Sequence, residues 1–70
     1  MELTNEEKIN IVTQHIRGIV TNIYSLQVSL IIEQAVDSPN QTNIDRLTLE
    51  IAQENLRHDA LMSELESLRS

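Results

Sequence analysis

Seventy residues, 40% of them apolar and 23% charged, with one Gly, one Pro and no Cys, allow one small domain at most. A chain this short is usually reinforced by disulfides, a structural metal or oligomerisation, and without Cys the disulfides and thiolate zinc sites are excluded. The net charge of −6, from 11 acidic and five basic residues, argues against partners that need clustered Lys and Arg, namely nucleic acid and anionic lipid.

The N-terminus carries Glu2, Glu6 and Glu7 where a secretory signal would be basic, so none is expected. With the absence of Cys, this points to a reducing cytoplasm. Thr4 followed by Glu7 has the form of a capping box, and Glu6 and Glu7 suit the positive end of a helix dipole. The spacing predicts a first helix over about 4–36. Within it Ile9, Val12, Ile16, Ile19, Ile23, Leu26 and Leu30 recur at alternating steps of three and four, an unbroken heptad stripe that stops at Glu33. Gly18 lies opposite the stripe and costs up to ~1 kcal/mol of helix propensity. From Tyr24 to Ile32 the residues also alternate in a period of two, a strand pattern. The helix is preferred because its own pattern runs from Ile9 to Leu30 with no turn signal inside it. Residues 18 to 32 carry no charge, but polar residues interrupt them and the stretch is too short to span a membrane.

Asp37-Ser38-Pro39-Asn40 is the one strong break. Pro39 biases Ser38 away from helix and suits the first position of a new one. Ser38 with Gln41 has capping-box form, and Asn40 and Thr42 are alternative N-caps. The turn is placed at about 37–41 and a second helix at about 42–69. There Ile44, Leu47, Ile51, Leu61, Leu65 and Leu68 hold the heptad positions, with Glu54 and His58 in the two middle ones. Arg46 and Glu50 are spaced to pair. From Ile9 to Ile32 the only formal charge is Arg17, whereas the second helix is charged throughout. The first helix is therefore expected nearer an assembly centre and the second nearer solvent.

Two long helices joined by a short turn are antiparallel neighbours. The expected fold is all-α, an antiparallel, coiled-coil-like two-helix hairpin. Such a rod has a seam but no enclosed core. Its wide apolar face, extended by Val28, Ile32 and Val36, should be covered by a second copy, giving a four-helix bundle as a dimer first and a tetramer second.

Glu54 and His58 come nearest to chemistry. Di-iron bundles use Glu-x-x-His with further inward Glu residues. Here the spacing is Glu-x-x-x-His and the first helix offers no inward Glu at that level, so neither metal nor cofactor is expected. The preferred reading is a polar layer in the seam, with Asn22, Tyr24 or Asn55 as candidate partners, which helps to fix register. Gln27 and Gln34 fit either an interface or its rim, Tyr24 either an interface anchor or an ordinary packed side chain, and Met62 is expected to fill core. No nucleophile has a base beside it, the only Gly is mid-helix, and a rod has no concave pocket, so no enzyme is expected.

The runs Met1-Glu-Leu-Thr-Asn-Glu-Glu-Lys-Ile9, Asn22-Ile-Tyr-Ser-Leu-Gln-Val-Ser-Leu-Ile-Ile-Glu33 and Ser38-Pro-Asn-Gln41 resemble small helical-hairpin proteins of contractile-tailed phages of marine cyanobacteria. The resemblance implies a phage accessory protein in the cytoplasm of an infected bacterium and transfers no functional residue. The leading functional expectation is a homo-oligomeric helical interaction module of structural or scaffolding use. The alternative is a small acidic regulator that docks a host or phage protein through the apolar face of the first helix.

Overall fold

The computed structural model describes residues 2–70; Met1, which opens the first run quoted above, lies outside the described residues. The described residues form two helices, α1 over Asn5–Gln34 and α2 over Gln41–Arg69, which pack against each other as an antiparallel hairpin. The result is a rod of 56 × 19 × 14 Å with a radius of gyration of 16.2 Å. A compact chain of this length would have a radius of about 11 Å.

The start of α1 is held by local chemistry. Thr4 accepts from the Glu7 backbone N–H at 3.1 Å, and the Glu7 carboxylate accepts from the Thr4 N–H at 2.9 Å. Two otherwise orphaned donors are thereby satisfied, and the same bonds hold the Glu7 carboxyl below its ordinary value.

The helix ends at Gln34, two residues short of the expected boundary. Ala35 closes it in a right-handed conformation, sharing its N–H between the carbonyls of Ile31 and Ile32. No described residue has a positive φ, so the chain reverses without a left-handed cap. It uses the six residues from Ala35 to Asn40 instead. Val36, expected in the helix, lies in this connection.

Pro39 does not open α2. It precedes the N-cap, Asn40, whose side chain accepts from the Asn43 N–H at 3.3 Å. The Ser38–Gln41 capping box does not form, and Gln41 donates to Asp45 at 2.9 Å. The Asn40 backbone N–H donates to the Glu33 carboxylate at 3.1 Å. That bond ties the last turn of α1 to the cap of α2, and Glu33, where the heptad stripe stopped, thus serves the turn.

Candidate functional site

The seam is the first candidate surface. Along α1 the partly covered residues include Ile9, Val12, Ile16, Ile19, Ile23, Leu26 and Leu30; along α2 they include Ile44, Ile51, His58, Leu61 and Leu68. Leu47 and Leu65 are buried, and Glu54 is the one buried charged residue among those described. No described side chain is fully enclosed. Two helices side by side cover one stripe of each other and leave the rest to solvent.

Midway along the rod the seam becomes polar. The Asn22 amide donates to Glu54 Oε2 at 3.0 Å across the two helices. The Arg57 guanidinium, three residues along α2, donates to Glu54 Oε1. Both carboxylate oxygens are engaged, and no buried polar side-chain atom among the described residues is left unpaired. The Asn22 amide, and next the Arg57 guanidinium, hold the Glu54 carboxyl below its ordinary value against the opposing effect of desolvation. Of the candidate partners for this layer, Asn22 is the one that reaches Glu54. Tyr24 stands away from it, 68% exposed. His58 contacts its neighbour Asp59 at 3.4 Å rather than joining the layer.

The Asn22–Glu54 bond also sets the register. Antiparallel helices pairing at that point bring Ile23 level with Glu54, Ile19 with His58, Ile16 with Leu61 and Leu30 with Leu47. Beside the layer lies an open trough of about 500 Å³, lined by Gln14, His15, Gly18, Ile19, Asn22 and Glu54. Gly18, expected opposite the stripe, instead borders the seam here and widens the trough, since a Cβ there would meet nothing within 4 Å. Among the described residues no group of three or more His, Cys, Asp or Glu is placed to hold a metal ion.

The second candidate surface is what the seam leaves uncovered. Val20, Tyr24, Ile31, Ile32 and Val36 on the α1 side are exposed large apolar residues, as are Leu49, Leu56 and Met62 on α2. Met62, expected in the core, lies one residue beyond the seam position Leu61, which turns it outward by about 100°. Leu49 and Leu56 were not singled out from the sequence. Their spacing of seven residues is the signal that marks them: it aligns two leucines on the outer side of α2, where Leu56 is 70% exposed.

The fold and surface thus define an all-helical hairpin with a closed polar layer in its seam and apolar residues left on its outside. No protein-family model matches the chain, and no curated protein or solved structure is significantly similar to it. Among the described residues no helix is long and apolar enough to cross a membrane.

Proposed function

We propose that this chain is a non-enzymatic, homo-oligomeric helical interaction module, in which two hairpins pair into a four-helix bundle. The observation that carries this reading is the mismatch between buried and exposed apolar side chains. Among the described residues Leu47 and Leu65 are the only buried apolar ones, while Tyr24, Ile31, Ile32 and Leu56 are each more than half exposed. A compact monomer of this mass would expose about 4,450 Å². The hairpin exposes 5447 Å². The excess, roughly 1,000 Å², is comparable with the ~800 Å² that each partner loses in a standard interface.

The phage resemblance extends the proposal to an accessory or scaffolding protein in the cytoplasm of an infected bacterium. A regulatory adaptor is the second reading, favoured by the exposure of Tyr24, since Tyr is over-represented among residues that dominate binding.

Light scattering coupled to gel filtration at micromolar concentration tests the module directly. The expected mass is a multiple of the 8.0 kDa chain, twice it for the dimer. A monomer that stays fully helical would refute self-assembly. A pulldown that repeatedly recovers one stoichiometric foreign protein would move the balance to the adaptor.

A further inference from the structure

The two flanks of the hairpin differ in charge, and the difference identifies a docking face. Helical steps of 100° put residues just before a seam position on one side and residues just after it on the other. In an antiparallel pair the preceding positions of both helices share a flank. The hydrogen bonds agree: Asn22 and Arg57, the two donors to Glu54, immediately precede the seam residues Ile23 and His58. That first flank carries Lys8, Glu50, Arg57 and Glu64, and the polar trough.

The opposite flank follows the seam. In α1 it is Thr13, Val20, Gln27 and Gln34; in α2 it is Gln41, Thr48, Asn55 and Met62. None of these carries a charge. The flank's only charges are Glu6 and Arg69, level with each other at the free end of the rod. Val20 and Met62 are large, apolar and substantially exposed; the row that borders the flank on α1 holds Tyr24 and Ile31 with Arg17, and the row that borders it on α2 holds Asp45, Asp59 and Glu66. The Thr48 hydroxyl donates to the Ile44 carbonyl at 2.8 Å, so it can be covered without losing its partner.

We propose that this uncharged flank is where a second copy of the chain docks, face to matching face about a two-fold axis. The proposal rests on the self-assembly reading and adds the face to it. Three observations select a second copy as the occupant. The excess exposed surface matches the area a standard interface takes from each partner. The centre of the flank carries no charge while its borders do, and an uncharged centre inside a polar rim is the anatomy of an interface. Two chains of net charge −6 approach most closely where their acids are fewest, and a two-fold contact centred on identical uncharged strips meets that condition.

Sedimentation analysis of the wild type, Val20→Glu/Met62→Glu and Ser29→Glu tests the face. Ser29 is an exposed residue of the charged flank. The expected result is a wild-type dimer, dimerisation weakened roughly 100-fold in the double variant by like charges brought together, and an unchanged dimer for Ser29→Glu. A monomeric wild type would refute self-assembly and the face with it. A dimeric wild type whose double variant dimerises equally well would refute the face alone. Because the chain has no Cys, cross-linking gives a second readout that does not depend on the double variant folding. A bismaleimide reaching about one helix diameter, ~10 Å, should join Val20→Cys into dimers and leave Ser29→Cys single. The reverse pattern would overturn the proposal.

Discussion

The most informative single comparison is between Leu47→Ala and Ile31→Ala. Leu47 sits in the seam, 6% exposed, level with Leu30 of α1. The substitution removes three carbons from an almost fully covered side chain. At ~0.8 kcal/mol per buried methylene the transfer loss is about 2 kcal/mol, and a small cavity raises it to roughly 2–3 kcal/mol. The cavity contribution stays small because a seam open at both edges relaxes more easily than an enclosed core. Ile31 is 64% exposed in the hairpin. The same truncation there loses below ~1 kcal/mol of burial, and the better helix propensity of Ala returns a few tenths. The assay is urea unfolding followed by far-ultraviolet circular dichroism, repeated over a range of protein concentrations. At a dilution where the proposed dimer would dissociate, Leu47→Ala should cost about 2–3 kcal/mol and Ile31→Ala close to nothing. As concentration rises and a partner covers Ile31, its cost should climb toward ~2 kcal/mol and the midpoint should become concentration-dependent. Equal costs for the two variants at the dilute limit, or a Leu47→Ala cost under ~0.5 kcal/mol, would refute the seam assignment on which the fold argument stands.

Three further outcomes follow from local features. Glu54 is held below the ordinary carboxylate value of about 4.3, so its contribution is fully present above that value and is lost as pH falls through the lower, folded one. Thermal melts taken from about pH 6 to pH 3 should show this acid limb, and Glu54→Gln should make it shallower and leave the part that Glu7 contributes; an identical limb in the variant would show that Glu54 has no share in it. Thr4→Ala removes one half of the capping box and should cost about 1 kcal/mol, read as faster amide exchange in the first turn of α1. Gly18→Ala meets nothing within 4 Å, so it should stabilise the hairpin by about 0.5–1 kcal/mol in chemical denaturation. A loss of stability there would refute the open space at Gly18.

The hairpin was legible in the residues because its signals are local and periodic. Seven apolar positions at steps of three and four in α1, and Thr4 with Glu7 before them, point to one helix and one starting place. The connection was less legible because three residues, Ser38, Asn40 and Thr42, each have capping chemistry. The choice of Asn40 is supported by Glu33, seven residues away in sequence, which accepts its backbone N–H. That bond depends on the reversal itself, so no local pattern could announce it. The partner of Glu54 was narrowed to a few candidates, and Asn22 was selected by register, a tertiary quantity. Met62 was misplaced for a simpler reason: a residue next to a seam position shares its neighbourhood in sequence but not its side of the helix.

The polar layer has a use that the apolar seam does not supply. Heptad stripes specify which faces meet more firmly than which turns, because sliding α2 by seven residues still sets several apolar positions against apolar positions. The six-residue connection removes this freedom at the turn end of the rod. Glu54 lies 14 residues beyond the cap at Asn40, roughly 20 Å along α2, where that restraint has weakened. A slide of one heptad in either direction would set Glu54 level with Ile16 or Leu30 and away from the Asn22 amide. The engaged carboxylate would then lose its cross-helix partner in a partly desolvated place, a cost the apolar contacts do not offset, because a slid register pairs fewer of them. Arg57 would travel with Glu54 in such a slide, so the polar share of the discrimination rests on Asn22. Asn22→Ala should therefore leave the helix content unchanged while loosening the far half of the rod. In amide exchange this would appear as protection lost from Glu54 to Leu68 but kept from Ile44 to Ile51. Uniform loss along α2 would instead mean that Asn22 supports the whole seam and that register is set elsewhere.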